Sequence, residues 1–224
     1  VVDKVADVDL VIRNVRIGFL AGYRPFHSEA YNKDSYSANL IFAPDHSWIE
    51  PVGFPRAGQK IIALEEISRA IRQVAKNKFG DGADEVLETL KELSKLPIQK
   101  GNVRRAGRPE YKDKLFLAAS NAVTSRLVPE MKAYINGKPT NVPEDHPKAP
   151  YAGCHADVAV RFWAQAKGRK TNTDGVYCNL LAVCFRADDE RLGGAGPRAS
   201  TVEFGSVDGA SADEAAPSTA SSLL

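Results

Sequence analysis

The sequence is poor in the residues that build covalent and metal chemistry. Its 224 residues include three cysteines, Cys154, Cys178 and Cys184, and four histidines. So few cysteines, odd in number, suit reduced thiols in a cytoplasm better than a disulfide framework. Cys178 and Cys184 would lie about 20 Å apart along an extended strand, too far to share a tetrahedral zinc ion. Cys154 and His155 are adjacent and would point to opposite faces of a strand. No metal site and no cofactor are therefore expected. The chain also has no phosphate-cradling glycine loop ending in Lys-Ser or Lys-Thr and no nucleophile motif. Asp188-Asp189-Glu190 could suggest magnesium for a nuclease, but no partner carboxylate accompanies it, and it reads as a solvated turn. No run nears the roughly 18 apolar residues that would cross a bilayer. Asp3, Lys4, Asp7 and Asp9 break any apolar core at the N-terminus, so neither a membrane partner nor a signal peptide is expected.

Basic residues are missing from one place only. After Arg198 there is none, while Glu203, Asp208, Asp213 and Glu214 are acidic, so the net charge of +2 conceals a body of about +6. From Gly205 to Leu224 the chain is rich in Ala, Ser, Gly and Pro and has no aromatic residue. Such a stretch cannot bury enough apolar surface to offset its ordering entropy, and residues 205–224 are expected to form a disordered acidic tail.

Residues 1–204 are expected to form one mainly β domain with a helical insertion at about 60–96. Val8 to Leu20 reads as a long bent strand, with Val11, Val15, Ile17 and Phe19 on one parity and Leu10, Ile12, Asn14, Arg16 and Leu20 on the other. Tyr36, Ala38, Leu40 and Phe42 alternate with Ser35, Ser37, Asn39 and Ile41, a half-buried strand that Pro44 ends. Leu64, Ile67, Ile71 and Val74 then recur at helical spacing, and the helix stops at Gly80. A second helix is expected from Ala83 to Leu96, before Pro97. Strands follow at 115–119, 154–166 and 175–186, with Asn136-Gly137 marking a hairpin turn. Strands with helices gathered in the middle suggest a small Greek-key barrel, and the OB-fold is the barrel of that kind that grips oligonucleotides across one face.

Three regions carry the candidate binding residues. In the strand 154–166 the face opposite the apolar one carries His155, Asp157, Arg161, Trp163 and Gln165, and the turn Lys167-Gly168-Arg169-Lys170 follows. An indole on which a base can stack, beside a guanidinium and lysines for phosphates, is the minimum equipment of a single-strand platform. Residues 100–114 hold Arg104, Arg105, Arg108, Tyr111 and Lys112 among glycines and Pro109, and read as an extended basic loop with an aromatic in it. Gly22 to Lys33 reads as a connecting loop carrying Tyr23, Arg24, Phe26 and Tyr31.

Taken together, several segments resemble the single-stranded DNA-binding protein family of tailed bacteriophages. They are Tyr151-Ala152-Gly153-Cys154, the alternating strand through Phe162 and Trp163, the strand Val176 to Val183, the closing Arg186-Ala187-Asp188-Asp189-Glu190-Arg191-Leu192-Gly193-Gly194, and the early Tyr36-Ser37-Ala38-Asn39-Leu40-Ile41-Phe42. The resemblance implies an OB-fold protein that coats single-stranded DNA during phage replication and recombination, in the cytoplasm of the infected bacterium. It also implies recruitment of replication or recombination proteins through the tail, and it leaves room for self-association on DNA. The tail departs from the strongest acidic-tail pattern, since it is weakly charged and ends in Leu224 rather than an aromatic. The residues thus point to a non-enzymatic single-stranded DNA-binding protein. A β-rich virion or scaffolding protein and a metal-dependent nuclease are the competing classes.

Overall fold

The longest element is a strand of 21 residues, β1 (Val8–Ser28), that serves two parts of one sheet. Its first half pairs antiparallel with β9 (His155–Gln165), and its second half with β2 (Lys33–Phe42). A strand can do this only if it bends, and the bend lies at Asn14, where φ is +52° and the β9 register shifts between Ile12 and Val15. The extra residue inverts the side-chain parity. Leu10 and Ile12 point into the core before the bulge, and Val15 and Ile17 after it. The expected grouping of Val11 with Val15 and Ile17 is corrected here, because simple alternation does not survive a bulge.

The computed structural model describes residues 7–29, 32–42, 48–50, 61–168 and 173–192. Beyond β2 lie two short strands, β3 (Trp48–Glu50) and β4 (Ile61–Ile62), then helices α1 (Ala63–Phe79) and α2 (Ala83–Glu92). Next come β5 (Ile98–Lys100), the single helical turn α3 (Gly101–Arg104), β6 (Leu115–Ala122), β7 (Glu130–Ile135), β8 (Lys138–Asn141), β9 and β10 (Gly175–Ala187). The helical insertion and the Asn-Gly hairpin stand where the spacing of residues predicts them. The second helix, however, stops at Glu92 rather than Leu96, because Ser94 takes a positive φ of 51°. The strand that begins at Leu115 runs on to Ala122, and β3, β4 and β5 are too short to leave a periodic signal.

In the sheet, β6, β2, β1, β9 and β10 are neighbours in that order. Numbered along the chain these five are strands 3-2-1-4-5, and β6 lies against β10, which closes the Greek-key barrel of the OB-fold. The free edge of β10 is shared: Ala182 to Phe185 pair in parallel with β7, while Leu180 faces β6. Among the described residues no strand ladder spans that last seam. Asn121 of β6 bridges it with its side chain, its Nδ2 donating to the Leu180 carbonyl at 2.6 Å and its Oδ1 accepting from the Leu180 N–H at 3.0 Å. The carboxamide thus imitates a peptide group.

The core fills from both sides. Ile67, Ile71 and Val74 of α1 form one buried stripe against β9 and β1, joined by Val158, Val160 and Phe162. Each such side chain contributes about 1.5–3 kcal/mol by leaving water. Glu65 and Glu66 stand in the first turn of α1 and Lys76 and Lys78 in the last, as its dipole favours. Gly80, at φ +59°, ends it.

Among the described residues one charged group is buried in this apolar assembly. Asp157, which strand parity puts among exposed residues, is only 3% exposed. It accepts from the Asn14 N–H at 2.9 Å, from Arg13 at 3.0 Å, from Tyr134 at 2.7 Å and from Arg186 at 3.1 Å. A buried carboxylate survives only with such partners. Burial, and donation to Asp157, push the Tyr134 phenol up to about 12.

The Asn121 bridge predicts a measurable cost. Asn121→Ala strips the Leu180 N–H and carbonyl of their partners in a buried seam, at about 1–3 kcal/mol for each unsatisfied group. Urea unfolding should show a loss of at least about 2 kcal/mol. An unchanged midpoint would mean that the seam is held by packing alone.

Candidate nucleic-acid interface

The outward face of β1, β2 and β6 is unlike the rest of the barrel wall. Register places Phe19 beside Asn39 and Ala118, Ala21 beside Ser37 and Ser120, and Phe26 beside Ser35 and Ala122. Apart from the two phenylalanines and Asn39, every side chain in these rows is Ala or Ser, so the sheet surface forms a shallow floor. Phe19 and Phe26 meet edge to face with centroids 5.7 Å apart at the β1 side of that floor. Phe26 is 51% exposed, unusual for an aromatic that strand pairing holds in place. The expected loop from Gly22 to Lys33 is instead a hairpin, because β1 continues to Ser28 and β2 begins at Lys33. His27 and Asp34 face each other across it at 2.8 Å.

At the other end the same face is roofed by residues 101–114. This segment is not the extended loop its glycines suggest, but α3 followed by a 3-10 turn at Pro109–Tyr111. Asn102 and Asp113 tie it back on itself, Asn102 Nδ2 to Asp113 Oδ1 at 2.7 Å and the Asp113 N–H to Asn102 Oδ1 at 2.8 Å. Tyr111, expected to be an exposed stacking residue, is only 3% exposed and packs on Ile41 and Phe116. Its hydroxyl accepts from Asn39 Nδ2 at 3.0 Å, and burial raises its pKa. Gly18 and Gly101 make the approach possible, since a Cβ at Gly18 would lie 2.4 Å from the phenol oxygen and one at Gly101 2.0 Å from the Tyr111 carbonyl. Tyr111 is therefore a pin that lays the basic segment on the sheet.

The cations it carries stay outside. Arg105 holds its guanidinium 5.9 Å from the Phe116 ring centroid, and Arg104 donates to the Ser94 carbonyl. Arg108 stands 4.0 Å from Glu110, a loose pair, and Lys112 is exposed. The aromatic floor and the arginine roof thus belong to one face.

The third candidate region lies elsewhere, on the outer face of β9 and β10. Trp163 stacks on its cross-strand partner Tyr177 with centroids 4.6 Å apart and an interplanar angle of 26°. Its Nε1 donates to Asn179 Oδ1 at 3.0 Å. Arg161 grips Asp9 with Nε and Nη2 at 2.7 and 2.8 Å. Lys167 is exposed just past the strand, and its N–H is held by Asp174 at 2.6 Å.

The remaining candidates divide. Tyr23 is half-buried and packs on the main core. Arg24 is exposed and pairs with Glu144 at 3.2 Å. Tyr31, Arg169 and Lys170 lie outside the described residues, as does the tail 205–224. Asp188-Asp189-Glu190 is tied into structure. Asp189 forms ion pairs with Arg16 and His155, while Tyr151 donates to Asp188 at 2.9 Å. Among the described residues no group of three or more His, Cys, Asp or Glu side chains could hold a metal ion.

Local sequence pattern does not single out Phe19, Tyr177 or the Ser/Ala floor. Phe19 shares its parity with core residues. Tyr177 has a signal only when one asks which residue of the next strand lies opposite Trp163 in a tight hairpin. The floor has one too, the run of small residues at Ser35, Ser37, Ala118, Ser120 and Ala122.

A five-stranded barrel of OB type, with an aromatic and serine-lined outer face under a pinned basic segment, defines the class. The chain belongs to the family described as the Enterobacter phage Enc34 ssDNA-binding protein, whose model matches residues 8–216. Among solved structures, the single-stranded DNA-binding protein of bacteriophage Enc34 in complex with ssDNA is 23% identical with a TM-score of 0.60, over 83% of this chain and 89% of that one. The same phage protein described without DNA gives 23% identity and a TM-score of 0.56, over 86% and 88% of the two chains. Its C-terminal truncation gives 20% and 0.56, over 82% and 88%. No curated protein matches significantly.

If Tyr111 is the pin, Tyr111→Phe should destabilise the protein by about 1–2 kcal/mol, since Asn39 loses its acceptor in a buried position. The same variant should be cut faster by trypsin between Arg104 and Lys112. Equal cleavage rates in variant and wild type would assign the anchoring to other groups.

Proposed function

We propose that this protein binds single-stranded DNA across the outer face of β1, β2 and β6, coating and protecting unpaired strands during phage DNA replication and recombination in the infected cell. The observation that carries this reading is the placing of an exposed, strand-held Phe26 and a pinned arginine segment on one sheet face. In OB-folds the face of the second and third barrel strands is the one that grips oligonucleotides, and here those strands are β2 and β6. The family's description, and the Enc34 protein's complex with ssDNA, support the same ligand.

The mechanism divides between charge and rings. Arg104, Arg105, Arg108 and Lys112 neutralise phosphates and release counterions, which gives affinity without reading sequence. Phe26, braced by Phe19, offers a ring to a base, and every base has a face to stack. Lys167 stands where the chain leaves the fourth barrel strand and adds a further cation, and Arg169 and Lys170, which follow it in sequence, would add to that charge. Because the ligand is the unpaired strand, the protein lowers duplex melting temperature by mass action. Binding requires no bond to be made or broken, and the reading assigns no catalytic step. The acidic tail is assigned to recruitment of replication or recombination proteins.

Anisotropy titration of a labelled oligo(dT) across several salt concentrations tests this. With about four phosphates neutralised, log K should fall against log salt with a slope near −3. Arg105→Ala with Arg108→Ala should make that slope shallower by roughly 1.4. Phe26→Ala should weaken binding by about 1–3 kcal/mol and leave the slope unchanged. Wild-type affinity and slope in both variants would remove this face from the binding surface.

A further inference from the structure

The Arg161–Asp9 pair on β9 and β1 has the form of an occupied anion site. A guanidinium that presents Nε and Nη2 to two oxygens at 2.7 and 2.8 Å uses the same fork with which arginine binds phosphate. Both side chains are about two-fifths exposed, so a ligand can reach the pair from solvent. The negative charge of Asp7 adds to that of Asp9 near the guanidinium.

The neighbouring row supplies what a nucleotide needs besides a phosphate partner. Register sets Asp9 opposite Arg161 and Arg161 opposite Asn179, and the next row along β9 and β10 is Trp163 opposite Tyr177. Gly175 leaves room for the Tyr177 ring, since a Cβ there would lie 2.4 Å from its hydroxyl oxygen. The Trp163 N–H is already satisfied by Asn179, so the rings are the part of the pair left to offer. Tyr177 remains 38% exposed. Neither ring belongs to the buried clusters of the barrel. Asp9 and Phe19 lie ten residues apart on the bent β1, so this platform is distinct from the floor at Phe26.

We propose that Trp163, Tyr177 and Arg161 form a second contact site for the same single strand, in which Asp9 stands in for a phosphate until DNA displaces it. The proposal rests on the single-strand reading above and adds to it a latch. In the free protein the carboxylate neutralises Arg161. In the complex a phosphate takes its place while an adjacent base lies against the ring pair, and Lys167 meets the phosphate beyond. The competing account is that the ion pair only ties β1 to β9 and the rings are ordinary cross-strand packing.

Asp9→Asn separates the two, because it keeps the shape and removes the competing charge. If Asp9 is a latch, the variant binds oligo(dT) roughly two- to fivefold more tightly at low salt, the range set by losing a surface ion-pair competitor. The log–log salt slope becomes steeper, because no freed carboxylate takes up a cation when the phosphate binds Arg161. Adding Arg161→Ala abolishes both gains. In the wild type, oligo(dT) should quench tryptophan fluorescence, and Trp163→Phe, which keeps a ring in the stack, should remove most of that quenching. Unchanged or weaker binding in Asp9→Asn, or quenching that persists in Trp163→Phe, overturns the proposal. If binding depends on Phe26 while Asp9→Asn is silent, only this second site falls. If the wild-type chain fails to bind oligo(dT), both readings fall together.

Discussion

Asp157 holds the barrel's longest strand in its bent course. Its carboxylate accepts from the Asn14 N–H at the bulge, and it draws in Arg13 from the same bulge, Tyr134 from β7 and Arg186 from β10. Four strands thereby meet on one side chain. Without the bulge β1 could not keep apolar residues inward against both β9 and β2, and the face that carries Phe19 and Phe26 would turn with it. Removing one partner of a buried ion pair costs far more than the pair contributes, because the remaining charge stays buried. The arrangement thus favours one geometry more than it adds stability.

A second constraint follows from close backbone approach. The basic segment is attractive to DNA because it concentrates arginines, and for the same reason its parts repel one another. It stays on the sheet because Tyr111 gives it an apolar anchor, seated where Gly18 and Gly101 lack side chains. Stacking and charge are in this way kept apart in the chain yet brought together on the fold. Phe26 comes from a hairpin and the arginines from a segment some eighty residues later, and the pairing of β1, β2 and β6 brings them to one face.

Elements with repeated apolar spacing are legible in the amino-acid sequence itself. The α1 stripe, the β2 alternation, the Asn-Gly hairpin and the pairing of 154–166 with 175–186 all depend on local periodicity, and all stand. Long-range polar contacts leave no such local pattern. Parity alone puts Asp157 beside Arg161 on an exposed face, and only the approach of Arg13, Tyr134 and Arg186 buries it. Tyr111 has the look of a base-stacking ring because it stands among cations. Nothing nearby in sequence announces that Asn39, seventy-two residues away, donates to its hydroxyl. The arginines and Phe26 are visible as residues, but that they share one sheet face follows from the register of β1, β2 and β6.

The central claim is that single-stranded DNA lies on the outer face of β1, β2 and β6 beneath the Tyr111-pinned segment. Ultraviolet crosslinking of the full chain to a single-stranded oligonucleotide, with the linked peptides identified by mass spectrometry, tests it directly. The account predicts crosslinks within β1 around Phe19 to Phe26 and within residues 101–112. Crosslinks confined to α1, α2 or the β7–β8 hairpin would contradict it.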